Sequence, residues 1–87
     1  MARIFIPAQL RSLTDGKDEI DAAGVSVREL VSVIEQRYPG FSNRVMLNEE
    51  LSPSLQVSID GTFSRRGLDA RVEPTSEVHF LPVFGGG

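Results

Sequence analysis

Hydrophobic positions near the N-terminus alternate with polar ones in the manner of half-buried strands. Ile4 and Ile6 share one face of the first segment, and Phe5 points to the other. A turn signal follows at Asp15-Gly16, and a second alternating stretch covers residues 18–22. The pattern therefore predicts two strands, over residues 2–7 and 18–22, that pair as a hairpin.

The clearest helical signal follows this hairpin. Ser26 and Glu29 have the spacing of a capping box, in which each side chain hydrogen-bonds to a backbone N–H at the helix start. Pro39-Gly40 then stops the pattern, because proline disfavours helical geometry in the residue before it. Apolar side chains recur at helical spacing on one face: Val27, Leu30, Val31, Ile34 and Tyr38. The spacing predicts an amphipathic helix over residues 27–38.

The second half of the chain predicts a helical turn and three strands. Residues 41–46 hold the turn, and the polar stretch 48–54, which contains a proline, is expected to be a loop. Alternation predicts strands at 55–59, 62–63 and 78–81, with ladder pairing ended by the proline that follows the last of them.

Strands separated by one amphipathic helix indicate an α+β domain, with a mixed sheet and the helix packed across one face. The last strand is expected to lie beside the first, in parallel. The predicted core residues are Ile4, Ile6, Leu13, Ile20, Leu30, Val31, Ile34, Val57, Ile59, Leu68, Val78 and Phe80.

Composition narrows the class of protein. The 87 residues make one domain, with a net charge of -3. Nucleic-acid binding needs clustered positive charge, as does attraction to an anionic membrane, so we expect neither partner. The chain has no cysteine, which excludes disulfides and thiolate metal sites and favours a reducing cytoplasm. The first apolar run is too short for a signal-peptide core, and no segment predicts a membrane span.

The sequence ends in three consecutive glycines, preceded by Val83-Phe84. Such a run arises by chance with a probability of about 0.0003. One interpretation is a frayed terminus or an expression scar. The other is that a backbone without Cβ atoms enters a channel too narrow for side chains, which leaves the carboxylate unhindered. Ordering the tail costs about 1–2 kcal/mol per residue, and burial of Val83 and Phe84 on a partner returns roughly 1.5–3 kcal/mol each.

The ending Phe80–Gly87 resembles the F-L-P-x-V-x-G-G terminus of the MoaD/ThiS sulfur carriers. Residues 8–11, 27–39 and 74–78 resemble further segments of that family, although Gly85 stands where alanine or threonine is commoner. The resemblance implies a ubiquitin-like β-grasp fold, with a mixed four- to five-stranded sheet and one main helix packed across it. It divides the chain into a β-grasp domain, 1–82, and a flexible diglycine tail, 83–87.

The resemblance also implies carrier chemistry rather than an enzyme. An E1-like adenylyltransferase, of MoaB/ThiF type or MoeB type, would use ATP and Mg²⁺ to adenylate the carboxylate of Gly87, which follows Gly86. A persulfide sulfur would convert the adenylate to a thiocarboxylate, and a sulfur-accepting enzyme would consume it. This chain itself would bind no cofactor and no metal.

A partner surface is predicted beside the tail. If the last strand neighbours the first, Phe5, His79 and Leu81 form an exposed, partly apolar patch. His79, the one histidine, is interpreted as a surface residue of this patch rather than as a catalytic group. The predicted partner-binding residues are Phe5, His79, Leu81, Pro82, Val83, Phe84 and Gly85.

Several alternatives stay open from the residues. The acidic residues between 15 and 21 are interpreted as a solvated turn rather than a metal site. Arg65-Arg66 is interpreted as an exposed turn, or as a contact for an acidic partner surface or a substrate phosphate. The carrier would serve molybdopterin or cysteine synthesis, with thiamine a third choice. Other hypotheses are the small subunit of molybdopterin synthase, a protein modifier that forms isopeptide bonds, and an interaction domain with an inert tail.

Overall fold

The computed structural model describes residues 1–83, which form an α+β domain. In that range the strands are β1 (Ala2–Phe5), β2 (Glu19–Ala22), β3 (Met46–Leu47), β4 (Glu50–Leu51), β5 (Leu55–Ile59), β6 (Thr62–Phe63) and β7 (Glu77–Pro82). The helices are α1 (Val27–Arg37) and α2 (Phe41–Val45), with 3-10 helices at Ala8–Thr14 and Gly67–Asp69. Within the same range, no helix has the length and apolar character needed to cross a bilayer.

Five strands make one mixed sheet in the order β2-β1-β7-β5-β6. The central pair β1 and β7 is parallel, and all other neighbours in this sheet are antiparallel. The inward residues of the strands are buried against α1. This arrangement confirms the predicted β-grasp: a five-stranded mixed sheet, one main helix across it, and the last strand parallel to the first.

The ends of α1 follow the sequence signals. Ser26 Oγ accepts the N–H of Glu29 at 3.2 Å, and the Glu29 carboxylate accepts the N–H of Val25 at 3.2 Å. After the helix, Gly40 has a φ of 101°, in the left-handed region that favours glycine. The predicted capping residue and stop are both confirmed.

A carboxylate links α1 to α2. Glu35 accepts the N–H of Ser42 at 2.8 Å and the N–H of Gly40 at 3.0 Å. These hydrogen bonds, that of Ser42 first, hold the pKa of Glu35 below its ordinary value because they stabilise the charged form. The same bonds fix the path of the chain between the two helices.

The core matches the prediction in most positions. Leu13 and Ile59 are only partly buried, whereas the other predicted core residues are buried. Phe41 is fully buried, although the sequence did not single it out, and its ring packs edge-on against Phe80 with centroids 6.3 Å apart. Buried apolar residues that the list of predicted core residues also omitted are Ala2, Leu10, Ala22, Val27, Val45, Leu55, Ala70 and Val72.

Three local predictions were wrong. The first strand ends at Phe5, because a 3-10 helix begins at Ala8 and carries the chain to the turn at Asp15. The stretch 48–54 is not wholly a loop, since β4 pairs with β3 in a small hairpin. Strand pairing also includes Pro82, whose register partner is Leu55. Proline is tolerated at this position because it lacks only the N–H donor and retains its carbonyl acceptor.

Candidate functional site

Phe5 and His79 form the centre of a patch on the sheet face away from α1. They are register partners across β1 and β7, and their rings stack with centroids 4.2 Å apart and planes 7° from parallel. Both side chains are half-buried, whereas their neighbours Ile4 and Val78 are fully buried on the helix side. Alternation therefore places the stacked pair on the outer face, as the sequence predicted.

Register partners of His79 continue across the outer face to the edge strand β6. Ser58 is the register partner of His79 on β5, and Phe63 of β6 is the partner of Ser58. Phe63 is 58% exposed. Leu81 follows His79 on the same face of β7 and is half-buried. We call this set, Phe5, Ser58, Phe63, His79 and Leu81, the outer-face patch. Sequence reasoning missed Phe63, whose position depends on the pairing of β6.

A cleft of about 260 Å³ opens in the patch. The stacked pair and Leu81 contribute to its wall, together with Arg11 and Asp18. A hydrogen bond holds the Arg11 side chain in place, because its Nε donates to the carbonyl of Ile6 at 3.0 Å. The cleft has room for a side chain from a partner at the point where β1 ends beside His79 and Leu81 of β7.

The chain leaves the sheet beside this cleft. The N–H of Val83 donates to the carbonyl of Ser54 at 2.9 Å, and Gln56 Nε2 donates to the carbonyl of Pro82 at 3.3 Å. Val83 is 44% exposed. The remaining predicted site residues, Phe84, Gly85, Gly86 and Gly87, lie outside the described residues.

A buried turn anchors the other end of β7. Ser76 is 2% exposed, and its Oγ donates to Asp60 Oδ2 at 3.0 Å while it accepts the N–H of Glu73 at 2.9 Å. Asp60 Oδ1 accepts the N–H of Glu77 at 2.9 Å. Hydrogen bonds to Ser54 and Asp60, the residues directly before and after β5, therefore hold β7 at both of its ends.

The two neighbouring arginines line a different cleft from that of the outer-face patch. Arg65 and Arg66 are exposed beside Arg28 in a second cleft of about 210 Å³. Arg28 is already engaged, with Nη2 at 3.1 Å from Asp69 Oδ1 and Nη1 donating to the carbonyl of Glu49 at 2.7 Å. Among residues 1–83, no cluster of three or more histidine, aspartate or glutamate side chains has the geometry to hold a metal.

Comparisons with solved structures give close matches over nearly the whole chain. A chain of the Amycolatopsis orientalis BexX/CysO complex is 29% identical with a TM-score of 0.91, covering 100% of each chain. Mycobacterium tuberculosis CysO, described as an antigen, is 25% identical with a TM-score of 0.87, covering 95% of this chain and 99% of that one.

A third neighbour shows the fold alone. Small archaeal modifier protein 1 of Methanosarcina acetivorans is 22% identical with a TM-score of 0.81, covering 99% of this chain and 95% of that one. No curated protein sequence matches significantly. The model of the ThiS family matches residues 4–87, which include the terminal glycines. The chain therefore belongs to the ThiS family, with the ubiquitin-like fold of its sulfur carriers.

Proposed function

We propose that this protein is a sulfur carrier whose terminal Gly87 is adenylated by an E1-like enzyme and converted to a thiocarboxylate. The observation that carries the proposal is the exit of the chain at Val83, 44% exposed, beside the outer-face patch and its cleft. A partner that covers the patch would stand next to the tail. The match of the ThiS model through residue 87 supports the same assignment.

The proposed chemistry needs activation because a carboxylate is a poor electrophile. An oxygen of the Gly87 carboxylate attacks the α-phosphorus of ATP, and pyrophosphate leaves. The terminal sulfur of a persulfide then attacks the acyl carbon and AMP leaves, so that an acyl disulfide forms. A second thiol then attacks the sulfur of this disulfide that is not bonded to the acyl carbon. The S–S bond breaks, the thiocarboxylate leaves, and the two thiol sulfurs form a new disulfide.

In those steps this chain would position its C-terminus for the partner enzymes and would supply no acid or base group. Phe5, His79 and Leu81 offer a contact surface, and Gly85, Gly86 and Gly87 can thread a narrow channel because they have no Cβ. ATP, Mg²⁺ and the stabilisation of developing charge would be supplied by the activating enzyme. The chain is thus a carrier and a substrate, and we place its reaction in the reducing cytoplasm.

We propose two pathways that could receive the sulfur, cysteine synthesis and molybdopterin synthesis. The CysO structures, at 29% and 25% identity, favour the first. A putative molybdopterin converting factor subunit 1 from Pyrococcus furiosus, at 23%, shows the fold alone. For a molybdopterin synthase subunit, the large subunit would co-purify. For a protein modifier, tryptic Gly-Gly remnants would appear on lysines of other proteins.

The deciding experiment is co-expression of the full chain with E1-like enzymes from its own genome, followed by intact mass measurement. We expect the mass gain that replaces one oxygen by sulfur at the C-terminus. A variant that lacks Gly86 and Gly87 is the control, and should show no gain. An unaltered carboxylate with every such enzyme would overturn the proposal.

A further inference from the structure

The peptide that joins Pro82 to Val83, at the end of β7, is held at both of its polar atoms. Its N–H, which belongs to Val83, donates to the carbonyl of Ser54 at 2.9 Å. Its carbonyl, which belongs to Pro82, accepts the side-chain amide of Gln56, with Nε2 at 3.3 Å. Ser54 and Gln56 lie on either side of Leu55, the register partner of Pro82. Both hydrogen bonds therefore come from one short stretch of the neighbouring strand.

The main chain of the neighbouring strands does not supply the donor that Gln56 provides. The N–H of Leu55, the register partner, donates instead to the carbonyl of Ser52 at 3.0 Å. On the other side of β7, β1 ends at Phe5, before it reaches the level of Pro82. A carbonyl in a half-buried position gains from a partner, and here that partner is a side chain.

The proline makes this carbonyl important for the direction of the tail. The ring of Pro82 fixes φ near −65°, so ψ is the one backbone angle of this residue that can turn. Rotation about ψ turns the planar peptide that follows, with the carbonyl of Pro82 and the N–H of Val83 on opposite sides of it. Two hydrogen bonds on opposite sides fix the plane, whereas a single bond lets it tilt. The first backbone angle that these bonds leave free is then φ of Val83.

We propose that Gln56 is a positioning residue for the tail. Its amide fixes the plane of the peptide between Pro82 and Val83, and with it the direction in which Gly87 is presented to a partner enzyme. The proposal rests on the proposed function, because the role concerns the activation of Gly87. A residue that is ordered before binding spares the complex the entropy of ordering it. Gln56 therefore acts on the step that brings the carboxylate to ATP.

The main test removes the donor while keeping a long, unbranched side chain. Gln56→Met has no hydrogen-bond donor, whereas Gln56→Arg retains one. Each full chain serves as the substrate of the E1-like enzymes of its genome in ATP–pyrophosphate exchange, and circular dichroism verifies folding. Because Gln56 is the register partner of Leu81, loss of a docking contact would raise KM, whereas loss of positioning lowers kcat. Ser26→Ala, which removes the cap of α1, controls for a loss of stability alone.

A second measurement needs no partner enzyme. Hydrogen exchange followed by NMR reports on the N–H of Val83, which shares its peptide plane with the carbonyl that Gln56 holds. In Gln56→Met this N–H should lose protection, because one hydrogen bond then holds the plane instead of two. Equal exchange of Val83 in Gln56→Met and in the unchanged chain would overturn the inference, since the side chain would not fix the plane.

We expect Gln56→Met to lower kcat about 5-fold, the effect of one more residue to order, while KM changes by less than about 2-fold. Gln56→Arg and Ser26→Ala should retain the kcat of the unchanged chain. An unchanged kcat in Gln56→Met, or an equal loss in Gln56→Met and Gln56→Arg, would overturn the inference and leave the proposed function intact. Absence of exchange with the unchanged chain would overturn the proposed function, and this inference with it.

Discussion

Phe5 and His79 stack face to face across the parallel pair β1–β7, with ring centroids 4.2 Å apart. This contact joins the first strand of the chain to the last one. Because β7 runs on to Pro82, the stack holds the outer-face patch in a fixed position relative to the point where the tail begins. Under the proposed function, the contact surface and the start of the tail at Val83 would therefore belong to the same pair of strands.

Replacement of Phe5 by alanine should weaken both the fold and the docking. The half-buried ring loses its stack on His79 and part of its apolar burial, so the free energy of unfolding should fall by about 1–2 kcal/mol. Urea denaturation measures this loss. Phe63→Ala is the matched control, because that ring is 58% exposed, and its stability should change by about 0.5 kcal/mol or less. Equal urea midpoints for the two variants would contradict the role assigned to the stack.

Ser76→Ala should destabilise the turn that leads into β7. The change removes a donor from Asp60 and an acceptor from the N–H of Glu73 in a site that is 2% exposed. Each of the two lost hydrogen bonds contributes about 0.5–1.5 kcal/mol, so the free energy of unfolding should fall by about 1–3 kcal/mol. Thermal or urea unfolding gives the value, with the exposed Thr75→Ala as the control. A loss no larger than that of the control would show that the network contributes little.

Glu35→Gln should change the pH dependence of stability. The lowered pKa of Glu35 means that its carboxylate stabilises the fold above the unfolded-state value of 4.5, and that this contribution disappears as the pH falls through the folded-state pKa. The variant should therefore be less stable than the unchanged chain at pH 7. The gap, which is the difference in unfolding free energy between the two chains, should become smaller in acid. Urea midpoints at neutral and acid pH measure it, with the exposed Glu49→Gln as the control. A gap that is constant or widens in acid would contradict the assignment.

Ser26→Ala should lower stability by removing the acceptor at the start of α1. The N–H of Glu29 then loses the hydroxyl at 3.2 Å, and the expected cost is about 0.5–2 kcal/mol. Ser32→Ala, at an exposed position inside the same helix, should be neutral or stabilising by about 0.5 kcal/mol or less, because alanine is the better helix former. The two variants differ only in the position of the serine, so a similar effect from both would exclude a capping role.

Local signals explain the success at α1 and the failure at β4. The helix is specified by a cap, a period and a proline stop that act within a few residues of one another, so its bounds are readable from the chain. The hairpin β3–β4 has strands of only two residues. It packs near α2 and the second 3-10 helix rather than expressing an alternating pattern of its own. The polar stretch around Pro53 therefore gave no signal for it.

The sequence by itself determined the main helix, the faces of the long strands and the ThiS-type ending, because periodicity, caps and a glycine run are properties of neighbouring residues. Only the tertiary structure decided that Phe41 packs into the core, that Phe63 extends the outer-face patch, and that Arg3 of β1 forms an ion pair with Glu19 of β2. These relationships depend on the order and register of strands far apart in the chain. Register is set by the packing of the whole sheet on α1, which no local pattern contains.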